Sequence, residues 1–272
     1  MGQSLWFRGA LGKGPYRTIS PIDDSFQPVY LGTSPQGLVV IKFPGDGTHS
    51  YVREKTSLQR VRHESIISLL DYRSECDQMP CLVFPHVGGR SLGRMLKSAT
   101  RISPDRTAAI FSDLSSALRA CHDSEVWHRD VKPDNIMITG KKAVLIDFGL
   151  SCNPDVESLD EEGVVYGSPL YMAPELWVLR GTARCDLYSL GVSLYRCLTG
   201  EYPFVADSVE SLRLRQLYQV PDAPSDLYDD VPTRLSDIAL HLLEREPEHR
   251  YESAHRVYED LQRFRTKSNR AA

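Results

Sequence analysis

Short runs rich in β-branched residues mark the first part of the chain, at Gln27 to Leu31, Leu38 to Phe43 and Cys81 to Phe84. Runs of this kind predict strands. Thr33-Ser34-Pro35-Gln36-Gly37 supplies a turn between the first two, so they read as a hairpin. A helical period interrupts them from about Thr48 to His63, where Glu54, Leu58 and Val61 fall at i, i+4 and i+7 on one face. Beyond Gly88-Gly89 the pattern is mainly helical. Ser103-Pro104 predicts a helix start, with the serine as cap and the proline in the first turn. Ile110, Phe111, Leu114, Leu118 and Cys121 form that helix's apolar stripe. Asp186 predicts the cap of another helix. Its Leu187, Leu190, Val192, Leu194, Cys197 and Leu198 face almost all ways, which places it in the centre of the second half. No internal repeat, low-complexity segment or long linker divides the chain. The expected class is α+β and bilobal. Residues 1–272 form a single domain, with a small β-rich lobe over about 1–86 and a larger helical lobe over about 87–272.

Composition narrows the function classes. A chain of 272 residues can fold around its own core without staples. Its 41% hydrophobic and 25% charged content is ordinary for a globular protein, and a net charge of -4 offers no electrostatic footprint for nucleic acid. No apolar run approaches bilayer length, and the first residues lack the basic-then-apolar order of a signal peptide. Met1-Gly2 begins a myristoylation pattern, but Trp6 stands where serine or threonine belongs. These features predict a cytoplasmic chain without a membrane anchor. None of the six cysteines forms a CxxC pair, so neither zinc nor redox chemistry is indicated and reduced thiols are expected. Cys152 is the candidate for the most exposed of them.

Charged residues that local pattern leaves unexplained carry the chemistry. Glu54 shares the core-facing side of its helix with Leu58 and Val61, and an inward carboxylate needs a cation. Lys42, closing the apolar run Leu38-Val39-Val40-Ile41, is the nearest candidate. The alternative is that both side chains snorkel to solvent. Two further stretches bear on this. "VWHRDVKPDNIMI" contains His128, Arg129, Asp130, Lys132 and Asn135, and "AVLIDFGL" contains Asp147, Phe148 and Gly149. An aspartate at the end of an apolar run, followed by glycine, suits a hard-metal ligand at a strand end, and Asn135 can offer a second oxygen. Asp130 suits a group that orients a hydroxyl and accepts its proton, and Lys132 one that stabilises developing charge.

Taken in order, these motifs resemble a eukaryotic-type (Hanks-type) serine/threonine protein kinase domain over nearly the whole chain. The resemblance implies ATP and Mg2+ as cofactors, protein substrates as partners, and no nucleic acid; it leaves the oligomeric state open. It implies that Lys42 holds the α- and β-phosphates and pairs with Glu54, that Asp130 is the base, and that Asn135 and Asp147 hold the metal. Leu82 to Val87 resembles the hinge whose backbone meets adenine, with Phe84 and His86 among the binding residues. Val29, Val40 and Met137 would sandwich the base, with Ile22 at the start of the phosphate loop. Gly167-Ser168-Pro169 and Ala173-Pro174-Glu175 resemble the end of an activation segment, Arg250 matches the partner of Glu175, and Asp186 matches the aspartate that braces the catalytic loop. Lys132 and Ser168 favour serine/threonine specificity, and Asp134 is a candidate contact for a basic substrate residue. Arg129 implies a phosphate site on the activation segment, with Ser151 and Ser158 as hydroxyls. One of Asp155, Glu157, Asp160, Glu161 and Glu162 could substitute for that phosphate, or the acidic stretch could simply be solvated. The cluster Arg263, Arg265, Lys267 and Arg270 reads as a solvated helix end or a partner contact.

One motif departs from the pattern. Where the glycine-rich phosphate loop belongs, the chain has Ile22-Asp23-Asp24-Ser25-Phe26-Gln27-Pro28. Glycine lets backbone N–H groups approach phosphate with no Cβ in the way. A decoy, Leu11-Gly12-Lys13-Gly14-Pro15-Tyr16, lies too far before Lys42. The expectation is an active enzyme with weakened ATP affinity; the alternative is a pseudokinase acting as a binding module. Asp23 or Asp24 near a nucleotide would repel it by roughly 1 to 4 kcal/mol per close pair. Replacing Asp23, Asp24 and Gln27 by glycine is therefore expected to tighten Mg-ATP binding about tenfold in calorimetric titration. Unchanged affinity would show that the loop never reaches the phosphates, and weaker affinity that the carboxylates share a metal with them.

Overall fold

The computed structural model describes residues 9–10, 14–22, 28–44, 48–76, 79–156, 167–177 and 182–271. The first part is a six-stranded antiparallel sheet built from β1 (Gly9–Ala10), β2 (Arg17–Pro21), β3 (Val29–Ser34), β4 (Gly37–Lys42), β5 (Asp71–Cys76) and β6 (Met79–Pro85), in the order β1-β2-β3-β4-β6-β5. The hairpin expected from the turn signal is present. β3 pairs with β4 from Val29↔Lys42 to Ser34↔Gly37, and Gly37 takes the positive φ of 129° that the turn requires. Strand period then sorts the side chains of β4. Val39 and Ile41 are buried in a cluster with Tyr30, Phe43, Cys81 and Val83. Val40 and Lys42 fall on the opposite face.

That opposite face meets α1 (Thr48–Arg60), the helix expected over about Thr48 to His63. Its Leu58, followed by Val61, packs into the main core with Leu82 and Phe84 of β6. β2 and β5 gave no clear pattern because their sequences, RTISP and DYRSEC, mix polar residues with single apolar ones. In chain order residues 11–16, of which 11–13 lie outside the described residues, fall between β1 and β2, whereas the residues after Ile22 fall between β2 and β3, the hairpin partner of the Lys42 strand. The glycine-bearing decoy is therefore one connection too early. Residues 23–27 lie outside the described residues.

After β6 come β7 (Arg90–Ser91), α2 (Leu92–Ala99) and α3 (Pro104–Asp123). β8 (Ile136–Thr139) and β9 (Lys142–Leu145) follow, then α4 (Ala183–Thr199), α5 (Val209–Tyr218), α6 (Pro224–Leu227), α7 (Thr233–Leu242) and α8 (Ala254–Ala271). The stripe of α3 is fully buried, from Ile110 to Cys121. Pro104 occupies the first turn as expected, but Ser103 makes no side-chain cap bond. α4 is buried around most of its circumference, as its all-round apolar pattern predicted. Its cap, however, is Thr182, whose hydroxyl accepts from the Arg184 N–H; Asp186 sits within the first turn and serves elsewhere. Among the described residues, Cys81, Cys121, Cys152, Cys185 and Cys197 are all buried. Cys152 is not the exposed one: its backbone exchanges both hydrogen bonds with Trp127, and its side chain is enclosed. Burial pushes the Cys121, Cys185 and Cys197 thiols up, which keeps them unreactive.

α4 and α7 approach closely at Gly191, where an added Cβ would lie 2.6 Å from the Leu242 Cβ. Gly191→Val is expected to cost about 2–3 kcal/mol through overpacking, read as a lower denaturation midpoint. An unchanged midpoint would mean that α7 can move aside freely.

Candidate active site

Lys42 ends β4 on the face turned to α1, and its ammonium lies 2.7 Å from Glu54 Oε2 and 2.7 Å from Asp147 Oδ1. The snorkelling alternative is thereby excluded: Glu54 is 2% exposed. Burial alone would lower the Lys42 pKa, but the two carboxylates outweigh it and raise it well above the ordinary lysine value. Burial raises Glu54, with Lys42 opposing the rise. For Asp147 burial also works upward, yet Lys42 prevails and holds the group below the usual carboxylate value. The second oxygen of Glu54 accepts the Phe148 N–H at 3.1 Å. Glu54 thus ties the sheet, the helix and the Asp147 segment together.

The loop 128–135 is held from beneath by Asp186. This carboxylate is fully buried and accepts from the backbone N–H groups of His128 (2.9 Å) and Arg129 (2.7 Å), and His122 Nε2 lies 2.9 Å away. Burial works to raise its pKa, but these hydrogen bonds and the nearby imidazoles hold it below the ordinary value. Arg129 and Asp147 both have φ of 65°, a conformation that costs a non-glycine residue energy. Two of the strained positions therefore lie at this site, and Asp186 bonds the N–H of one of them. His128 packs edge-on to Phe148 with ring centroids 4.6 Å apart.

Asp130 emerges from this loop with every oxygen engaged. Lys132 Nζ is 2.6 Å from its Oδ2, the Asn135 amide donates to Oδ2 and to its backbone carbonyl at 2.9 Å, and the Ser168 hydroxyl donates to Oδ1 at 2.9 Å. Lys132 also donates to Ser168 at 2.8 Å. Asn135, 6% exposed, has its NH2 turned toward Asp130, which leaves Oδ1 as the oxygen it can offer outward. The Ile146 N–H bonds the Asn135 carbonyl at 2.9 Å, so the ends of β8 and β9 set Asn135 beside the Asp147 segment. Asp147 keeps Oδ2 apart from its Lys42 contact. One amide oxygen and one carboxylate oxygen suit a hard divalent ion such as Mg2+, which takes few protein ligands.

Among the residues expected to sandwich adenine, Val29 and Val40 share the face of the sheet that carries Lys42. Val29 is registered opposite Lys42, Val40 opposite Phe84, and Met137 opposite Val144; Val40 and Met137 both pack against the main core. Ile22 is exposed, and its N–H bonds the Val29 carbonyl. His86 contributes less than expected: its side chain is exposed and its N–H is taken by the Leu38 carbonyl at 3.2 Å. Downstream, Arg250 grips Glu175 with two hydrogen bonds of 2.6 and 2.7 Å, as anticipated. Asp134 is exposed, and Arg263 of the basic cluster pairs with Asp260 at 3.0 Å.

Two expectations for the activation segment are corrected. Asp155 does not serve Arg129; it pairs with Arg60 at 2.7 Å because α1 ends beside it. Ser151 is fully buried in a hydrogen-bonded cluster and offers no accessible hydroxyl. Glu157, Ser158, Asp160, Glu161 and Glu162 lie outside the described residues. Ser57, Asn153 and His122 were missed by the sequence reading. Ser57 carried a usable signal, since it shares the buried face of α1 with Glu54 and Val61.

A family profile described as the protein kinase domain matches residues 41–260. The match begins just before Lys42 and so leaves out the glycine-poor loop. A probable serine/threonine-protein kinase of Clostridium perfringens is 29% identical over 223 residues, 80% of this chain and 32% of that protein. Serine/threonine-protein kinase PknB of Mycobacterium leprae is 33% identical over 217 residues, covering 77% of this chain and 35% of that protein. PknB of Mycobacterium tuberculosis is 32% identical over 220 residues, with 78% and 35% covered. The chain thus spans about a third of the length of these relatives.

The ion pair generates a stability prediction. Lys42→Met strands a buried carboxylate and is expected to cost about 3 kcal/mol near neutral pH. Without its cation, Glu54 has a folded pKa raised further above the unfolded one, so the deficit grows as pH rises through the carboxylate range and shrinks toward acid. Chemical denaturation of both proteins at several pH values checks this; a deficit independent of pH would remove Glu54 as its cause.

Proposed function

The chain belongs to the protein kinase domain family, and we propose that it transfers the γ-phosphoryl group of ATP to serine or threonine hydroxyls of protein substrates. The observation that carries this reading is the Ser168 hydroxyl donating to Asp130 Oδ1 beside Lys132. A serine O–H fits the Asp130 carboxylate with a lysine ammonium 2.8 Å from its oxygen. A substrate hydroxyl presented there would give its proton to Asp130 as its oxygen bonds to the γ-phosphorus and the bond to the ADP oxygen breaks. Lys132 would offset the negative charge that develops, and Asn135 would keep the carboxylate aimed. Lys42, steadied by Glu54, would hold the α- and β-phosphates. Val29, Val40, Met137 and Phe84 would enclose adenine, with Ile22 at the margin. Asn135 and Asp147 would hold Mg2+, which when bound neutralises phosphate charge.

The alternative, a pseudokinase that binds partners without turnover, draws support from the missing loop glycines. Against it stand the Lys42–Glu54 and Lys42–Asp147 ion pairs and the Asn135–Asp130 hydrogen bond, which support the reading as an enzyme. A protein-directed, ATP-dependent enzyme belongs in the cytoplasm, and among the described residues no helix is long and apolar enough to cross a membrane. The net charge of -4 gives no support to a nucleic-acid partner.

Asp130→Asn is expected to lower the rate of phosphoryl transfer to a generic protein substrate about 10² to 10⁴-fold while Mg-ATP binds nearly as before. Radiolabelled transfer and calorimetric titration on the same preparations check both halves. Equal rates in wild type and variant would exclude Asp130 as the base, and absence of transfer in both would favour the binding module.

A further inference from the structure

Behind the Lys42–Glu54 pair, α1 is joined to the segment after Phe148 by a second and different set of contacts. Ser57, Ser151 and Asn153 are all fully buried. The Asn153 amide donates to the Ser57 hydroxyl oxygen at 2.8 Å and reaches Thr56 Oγ1 at 3.2 Å. The hydroxyl oxygens of Ser57 and Ser151 lie 2.7 Å apart, and Ser151 Oγ is 2.6 Å from the Phe148 carbonyl oxygen. Each hydroxyl has a single proton. One arrangement uses every group: Asn153 donates to Ser57, Ser57 to Ser151, and Ser151 to the Phe148 carbonyl. Phe148 is therefore held at its N–H by Glu54 of α1, at 3.1 Å, and at its carbonyl by Ser151, which α1 reaches through Ser57. Asp147, the proposed metal ligand, is the next residue up the chain.

These groups are neutral, buried and supplied by the chain itself. In a dry environment each such bond is costly to break, because the partner left behind cannot turn to water. The Arg60–Asp155 pair extends the same seam at the surface, where solvent screening leaves it little weight. We infer that Ser57, Ser151 and Asn153 are positioning residues that clamp α1 onto the Asp147 segment, so that Lys42, Glu54 and Asp147 stand together. The consequence for phosphoryl transfer rests on the proposed function; the clamp itself does not.

The test uses the full chain treated with phosphatase, as wild type, Ser57→Ala and Asn153→Ala. Alanine favours a helix at position 57, so Ser57→Ala removes the hydroxyl without weakening α1 by propensity. Amide hydrogen exchange over residues 53–57 is expected to speed about tenfold in each variant, with α3 unchanged, the factor that one lost buried hydrogen bond implies. The kcat of the treated variants is expected to fall about tenfold, with little change in KM for the protein substrate. Exchange in α1 equal to wild type, or raised equally in α1 and α3, overturns the clamp. Faster exchange with unchanged kcat overturns the positioning role. Wild type that transfers no phosphate overturns the proposed function instead, and the exchange comparison then decides the clamp alone.

Discussion

A carboxylate that is 2% exposed must be answered by a cation, and in this protein the answer comes from a different element. Glu54 belongs to α1 and Lys42 to β4, so the pair can form only when the helix lies against the sheet at one position. The second oxygen of Glu54 then takes the N–H of Phe148, which draws in the segment carrying Asp147. Lys42 closes the triangle with its own contact to Asp147. Three parts of the chain far apart in sequence are thus registered by one buried charge. Removing Lys42 would leave the buried Glu54 without its cation, so the position of the helix depends on the strand that carries the lysine.

The second half follows the same logic with a different currency. Asp186 is a buried anion satisfied by backbone N–H groups and an imidazole, and it holds Arg129 in a backbone conformation that the residue would not adopt unaided. The strain buys orientation for Asp130, whose oxygens meet Lys132, Asn135 and Ser168. Ser168 lies far along the chain from the loop 128–135, and its hydrogen bond to Asp130 joins that loop to the stretch 167–177. The Glu175–Arg250 fork anchors the same stretch to the helical lobe, and Arg250 is itself fully enclosed. Buried charge in this fold is spent on fixing where loops sit, and the apolar core supplies the rigid helices that those loops are fixed to.

Much of this was legible in the sequence because it rests on local rules. Lys42 stood out as the cation closing the apolar run from Leu38 to Ile41, and helix period placed Glu54 with Leu58 and Val61. The unusual demand of an inward carboxylate then pointed from one to the other. The all-round apolar pattern of α4 announced its central burial. Where local rules compete, the reading failed. Asp186 has the chemistry of a helix cap, and Thr182 took that role because the chain needed Asp186 beneath the loop. Ser151 looks like an accessible hydroxyl in a polar stretch and is buried, because α1 lies over it. Cys152 is enclosed for a similar reason, by its bridge to Trp127.

Residue types, spacing and period by themselves determined the two-part architecture and the helix and strand faces, and singled out the charged side chains that need a partner. They did so because each depends on neighbours within a few residues or on an ordered series of motifs. The tertiary structure alone decided that Lys42 touches Asp147 as well as Glu54, which oxygen of Asn135 is left to offer, and that Ser57, Ser151 and Asn153 meet. Those outcomes depend on which surfaces pack together and on how many donors a buried acceptor finds there. A linear pattern carries no record of that count.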